Sequence, residues 1–172
     1  PSSDPAVKEK IDVTIMNAGK VTSLLHNSPK NISLGIRGPY GKGYPLHKFE
    51  GKDVLIVGGG VGLAPLRALL FGLFADINKY NKIVFRYGAR TAQDIIYKDQ
   101  IPVWAAKERV DWLTTVDVGD PSWTGHVGLI TTVLNDLPID MKKAVAIVCG
   151  PPIMMKFVTL KLLDLGFAPA DI

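Results

Sequence analysis

The stretch Asp53–Pro65, DVLIVGGGVGLAP, constrains this chain more than any other. Asp53 to Val57 is a short apolar run with β-branched residues, the pattern of a strand buried on both faces. Gly58, Gly59 and Gly60 follow, then Val61, Gly62, Leu63, Ala64 and Pro65. A helical apolar stripe comes next, made of Leu66, Leu69, Leu70, Leu73 and Phe74. A strand, a glycine turn and a helix in immediate succession aim the helix's free N–H groups at whatever sits over the turn. Such an N-terminus carries about half a positive charge and favours a phosphate or another anion. Glycines let the backbone approach a ligand closely because no Cβ intervenes.

The spacing meets the dinucleotide fingerprint G-x-G-x-x-G only loosely, since Gly58, Gly60 and Gly62 alternate and Leu63, Ala64 and Pro65 follow. An acidic residue belongs about 20 positions further on, at the end of a second strand. Asp76 falls instead at the end of the helix. A tight turn without a ligand is the bland alternative, and a phosphate-bearing ligand is the favoured one.

Downstream, strands and helices alternate as a parallel sheet requires. Lys82–Tyr87, Val110–Val116 and Ala144–Val148 read as further strands, giving a sheet of about four. Helices are expected near residues 101–108, 128–135 and 152–165. In such a sheet ligands bind beyond the carboxyl ends of the strands. The segments expected to share that edge are residues 58–65, 88–91, 117–125 and 149–152. Gly150-Pro151-Pro152 opens a second helix on the same rim, where proline sacrifices no hydrogen bond.

Upstream, Ile11–Met16 and Asn31–Arg37 each alternate apolar and polar residues and read as strands, with Gly19–Leu25 as a short helical turn between them. Two strands cannot bury a face alone. This segment therefore leans on the following domain or on strands outside the sequence, and the opening Pro1-Ser2-Ser3-Asp4-Pro5 reads as the middle of a longer protein.

At 47% apolar and 21% charged residues, a 172-residue chain can bury a proper core. A net charge of +4 with scattered Lys and Arg argues against nucleic acid, whose readers carry a basic face. No apolar run approaches the roughly 20 residues of a membrane span, and no signal-peptide pattern opens the chain. Cys149 is the lone cysteine, which excludes an internal disulfide and points to a reducing, cytoplasmic setting. His26, His47 and His126 are too widely spaced for a metal site, and no metal ligands are assigned.

Three segments together resemble the ferredoxin–NADP reductase superfamily. Gly59-Gly60-Val61-Gly62-Leu63-Ala64-Pro65 is similar to its pyridine-nucleotide pyrophosphate loop. Tyr87-Gly88-Ala89-Arg90 is similar to its adenosine-ribose segment, and Cys149-Gly150-Pro151-Pro152-Ile153-Met154-Met155 to the motif beside the nicotinamide. Leu63–Arg67, Trp123–Gly128 and Gly166–Ile172 narrow the resemblance to the gamma (diaphorase) subunits of cytoplasmic nickel–iron hydrogenases and sulfhydrogenases. The corresponding subunit of anaerobic sulfite reductase and the electron-transfer subunit of dihydroorotate dehydrogenase are similar.

The resemblance implies an α/β chain in two parts. Residues 1–50 would be the C-terminal part of an FAD-binding β-barrel, with Gly19, Lys20, Val21, Thr22 and Ser23 cupping the FAD pyrophosphate and Arg37–Gly41 ending the barrel. Residues 51–172 would be the Rossmann-like NAD(P)-binding domain. Gly59, Gly60, Gly62, Leu63, Ala64, Pro65, Tyr87, Gly88, Arg90, Gly150, Pro151, Pro152 and Met154 would contact NAD(H) or NADP(H). Cys149 would shape hydride transfer without acting as a nucleophile. The family's Arg-x-Tyr-Ser flavin motif would precede Ser2, and its four [2Fe-2S] cysteines would follow Ile172, so the cluster belongs to the full-length protein only. The implied function is an FAD-dependent NAD(P)H oxidoreductase, an electron-transfer flavoprotein subunit of a hydrogenase- or sulfite reductase-type complex. A non-catalytic nucleotide-binding module and a stand-alone flavin reductase are the alternatives.

For single residues, blander readings stand beside these. Cys149 can be a small buried apolar side chain. Arg90 can be a solvated loop residue rather than a ribose or 2′-phosphate contact, and nearby Asp94 would repel a phosphate. Thr22 and Ser23 can be simple helix caps. Core packing or partner contact suffices for Trp104 and Trp112, and Trp123 is expected to pack over the nucleotide crevice. Valine at Gly62 is expected to abolish nucleotide binding while the fold survives.

Overall fold

The computed structural model describes all 172 residues. Five parallel strands form one sheet: β1 (Asp53–Gly59), β2 (Lys82–Ala89), β3 (Val110–Val116), β4 (His126–Val127) and β5 (Ala144–Cys149), in the order β4-β3-β2-β1-β5. The expected four strands are all present. The fifth, β4, is a two-residue edge strand with both residues exposed, too short to leave an apolar signature. Four α-helices accompany the sheet: α1 (Lys20–Asn27), α2 (Leu63–Ala75), α3 (Ile101–Ala105) and α4 (Pro152–Asp164). The helix expected near residues 128–135 is a five-residue 3-10 helix, Ile130–Leu134.

β1 is the central element. Val54, Leu55, Ile56 and Val57 are all fully buried. Successive side chains of a strand point to opposite faces, so one apolar run supplies two cores. Val54 and Ile56 pack with Leu66, Leu69, Leu70 and Leu73 of α2 on one face. Leu55 and Val57 pack with Val133, Leu134, Val158 and Leu162 on the other. The helices therefore cover both faces, as an all-parallel sheet demands.

From β1 the chain moves outward through β2 and β3 to β4, then returns so that β5 pairs with the other side of β1. Strand order reverses between β1 and β5. In open α/β sheets this reversal opens a crevice at the carboxyl ends of the two strands.

Residues 11–16 and 31–37 form no strands, contrary to their alternation. A strand is defined by its ladder, and neither segment has one within the chain. Their apolar side chains stand in solvent: Ile11 is 63%, Leu34 56% and Ile36 76% exposed. α1 buries no residue. No helix is long and apolar enough to cross a membrane.

Candidate nucleotide site

Gly58 of β1 lies beside Cys149 of β5, so the loops that follow these two strands emerge together. Glycine permits their contact. A Cβ on Gly62 would stand 2.5 Å from the Cys149 carbonyl oxygen and 2.8 Å from its carbon. A Cβ on Gly150 would stand 2.6 Å from Met154 Cε, and one on Gly59 would collide with Met154 Sδ. Gly59, Gly62, Gly150 and Met154 thus build the seam between the loops. This differs from the expectation for Gly62, because a valine there drives into backbone and not only into ligand space.

Gly60 has the opposite environment. It adopts φ +53°, and nothing lies within 4 Å of the place a Cβ would occupy. It is the point in the loop where the backbone is open to close approach. Behind it, the fully buried Tyr87 donates its hydroxyl hydrogen to the Gly60 carbonyl at 3.0 Å and accepts from the Ile96 amide at 3.4 Å. Burial pushes the Tyr87 phenol up to about 12, so it remains a donor at neutral pH. Tyr87 therefore supports the loop from beneath, and its ring does not face solvent.

Two 13-residue helices begin at this seam, α2 at Leu63 and α4 at Pro152. Their N-terminal N–H groups and dipoles converge on the crevice and favour an anion there. Leu63 and Ala64 are buried and contribute packing, Pro65 is half-buried, and Pro151 and Pro152 are exposed on the rim. Cys149 is half-buried and its thiol is raised by burial. It stands as a neutral thiol beside the Tyr44 phenol, itself raised by burial and by the nearby Cys149. Tyr44 was not evident from the sequence, where it sits in a polar link with no periodic signal.

The other strand ends complete the rim. Gly88 pairs with Gly59 and packs under Ile130, 3.2 Å from a would-be Cβ. Arg90 is exposed, and its carbonyl accepts the Val118 amide at 2.9 Å, tying the loops after β2 and β3. The Asp94 carboxylate is engaged by the Thr91 amide at 3.1 Å and hydroxyl at 2.7 Å. Trp123 folds onto its own loop, donating from Nε1 to the His126 carbonyl at 2.9 Å and lying against Gly125.

The flavin candidates lie apart in sequence and are organised locally. The Thr22 hydroxyl accepts from the Ala18 and Gly19 amides, each at 2.9 Å, and the Ser23 hydroxyl donates to Asn17 Oδ1 at 2.6 Å. The Thr22 contacts shape the start of α1, and the Ser23 contact ties it to Asn17. Val21 remains 72% exposed beside them. Arg86, absent from the candidate residues, is buried on β2 and pairs with Asp111 at 2.5 Å.

Residues 56–159 match the family described as the oxidoreductase NAD-binding domain. The chain belongs to this ferredoxin reductase-like family. It is 32% identical over 177 residues to the sulfhydrogenase 2 gamma subunit of Pyrococcus furiosus, covering 96% of this chain and 61% of that protein. It is 36% identical over 171 residues to a probable dihydroorotate dehydrogenase B (NAD(+)) electron transfer subunit of Methanothermobacter thermautotrophicus, covering 98% and 57%. Among solved structures, the CS-b5R domains of human Ncb5or in the NAD+ form superpose with a TM-score of 0.74 at 24% identity, covering 93% of this chain and 46% of that one. The chain thus spans about three fifths of the length of these curated relatives.

Proposed function

We propose that this domain binds NAD(H) or NADP(H) across the β1–β5 crevice, and that the protein to which it belongs passes the reducing equivalents through FAD to an iron–sulfur partner. The observation that carries the reading is the paired arrangement at the reversal of strand order. An open, left-handed Gly60 lies beside two convergent helix N-termini, with Cys149 next to the seam. The names of the relatives, a sulfhydrogenase gamma subunit and an electron transfer subunit, support the wider role.

Gly60, with the turn Gly60–Gly62 that heads α2, is suited to hold the pyrophosphate. Arg90 and Gly88, at the carboxyl end of β2, would contact the adenosine ribose. Pro151, Pro152 and Met154 would border the nicotinamide, and the neutral Cys149 thiol would pack there without nucleophilic chemistry. The chain's residues bind and orient the nucleotide; FAD, where bound, supplies the exchange between two-electron and one-electron transfer. Residues 19–23 would present the N-terminus of α1 and the Lys20 ammonium to the FAD pyrophosphate. A [2Fe-2S] centre takes four ligands, so Cys149 cannot hold one and its ligands would lie outside these 172 residues. The proposed setting is a cytoplasmic redox complex of the hydrogenase or sulfite reductase type.

An anaerobic titration of the whole protein with NADH and then NADPH, followed by visible absorbance, tests this. Bleaching of flavin and cluster bands supports it, and the better titrant names the nucleotide. Nucleotide binding without bleaching makes the protein a binding module, and bleaching of flavin alone makes it a stand-alone reductase.

A further inference from the structure

Arg67 projects from α2, four residues after Leu63 and so about one turn beyond the open glycine loop. Its side chain is only 14% exposed. The guanidinium donates from Nε to Gln100 Oε1 at 2.9 Å and from Nη1 to the Ser2 carbonyl, and pairs with Asp12 Oδ2 at 3.5 Å. Its centre lies 4.7 Å from the Phe71 ring and 5.2 Å from the Tyr97 ring, within cation–π range of both. A planar, forked cation can meet this many partners at once, whereas lysine cannot.

Tyr97 completes the cluster from the other side. It is a non-glycine residue at φ +56°, a conformation that persists only where its surroundings over-determine it. In that conformation its ring packs on Trp104 at 6.0 Å and faces Arg67, and its hydroxyl meets the Thr14 hydroxyl. Thr14 in turn bonds the Ser2 hydroxyl at 2.9 Å, and Ser2 is 1% exposed. The Ser2 amide donates to the Asp12 carbonyl at 2.8 Å. Residues 2–14 otherwise have no regular structure, so these polar contacts are the main restraint on where the segment sits.

We propose that Arg67 and Tyr97 form a clamp that fixes the segment 2–14 onto the first turns of α2, and thereby sets the flavin-side part of the protein against the nicotinamide end of the crevice. The positional half of this rests on the function proposed above; the clamp itself rests on the contacts alone. Both residues act as positioning residues, since their contacts run to residues 2–14, to one another and to the core aromatics Phe71 and Trp104.

The test uses the whole flavoprotein with Arg67→Met, Arg67→Lys and Tyr97→Phe, reading amide hydrogen exchange across residues 2–14, the NADH dissociation constant and the limiting rate of flavin reduction. Arg67→Met should speed exchange about 10-fold or more. It should leave the dissociation constant within about 3-fold and slow the limiting rate about 10-fold, because a misplacement of about 1 Å is costly to transfer. Tyr97→Phe keeps the ring and should move both readouts in the same direction by less. Arg67→Lys, which keeps charge without the fork, should restore only part of the loss. Unchanged exchange in Arg67→Met overturns the clamp. Faster exchange with an unchanged limiting rate overturns the positional role. If NADH fails to reduce flavin in the unsubstituted protein, the proposed function fails, and the exchange result still decides the clamp.

Discussion

Alanine at Gly62 and alanine at Gly60 should have opposite profiles, although the two glycines are separated by one residue. At Gly62 the new Cβ lies 2.5 Å from a backbone oxygen, against an ordinary contact of 3.4 Å or more. The seam between the β1 and β5 loops must therefore open by about 0.9 Å, in an interior packed as densely as an organic crystal. The obstacle is main chain rather than a flexible side chain, so the cost should be about 2–3 kcal/mol. For a chain of this size that is a fall in Tm of about 4–12 °C. At Gly60 the Cβ meets nothing, and only the left-handed conformation is penalised, by about 1 kcal/mol or about 2–4 °C. Its methyl group would nevertheless stand where the pyrophosphate must approach, weakening NADH binding about 10-fold or more. Thermal unfolding followed by circular dichroism, with calorimetric titration of NADH, reads both. Equal losses of Tm, or a Gly60→Ala variant that binds NADH normally, would refute the division of labour between the two glycines.

Tyr87→Phe removes the side-chain donor to the Gly60 carbonyl and leaves only the Leu63 amide there, which should cost about 1 kcal/mol in urea unfolding and weaken NADH binding; a variant with unaltered affinity would show that Tyr87 does not support the loop. Stability should also fall with alkali. Tyr87 and Cys149 hold their protons more tightly when folded, so the folded state binds more protons above the unfolded pKa values, and the slope of stability against pH is negative there. The loss should begin near pH 9, with the Tyr87 part falling between pH 10 and about 12 and reaching at most about 2.7 kcal/mol. A urea midpoint that stays level from pH 8 to 11 would contradict it. Asp111→Ala strands the buried Arg86 guanidinium, and with Asp111 38% exposed the cost should sit below the usual buried-pair range, at about 2 kcal/mol. No change in the urea midpoint would show that the backbone carbonyls around Arg86 suffice.

The nucleotide domain was legible because its signals are local. Val54–Val57 had to be a strand covered on both faces, and the helix after Gly62 had to start at the strand's carboxyl end. What the linear pattern could not supply was which atoms each glycine faces. Gly60 and Gly62 look alike in sequence, yet one is open and the other is pressed against Cys149, a residue 87 positions away. The same holds for Tyr87, whose motif position suggested a ribose contact while its ring is buried under the loop. Alternation misled at residues 11–16 and 31–37, because a period of two records the face a strand would bury and not whether a neighbour is present to bury it. Arg67 lay in the motif Leu63–Arg67 but its role, like that of Tyr97, gave no signal, since the partners Ser2, Asp12 and Thr14 are remote in sequence.

The most direct test of the central claim is an NMR titration of this chain with NADH, following backbone amides. Shifts should concentrate at Gly59–Leu63 and at Gly150–Met154 and saturate together, with smaller changes at Gly88–Thr91. Saturable shifts confined instead to the groove of about 460 Å³ along the free edge of β5, lined by Tyr44, Phe49 and Val145–Val148, would contradict it, as would no shift at either loop.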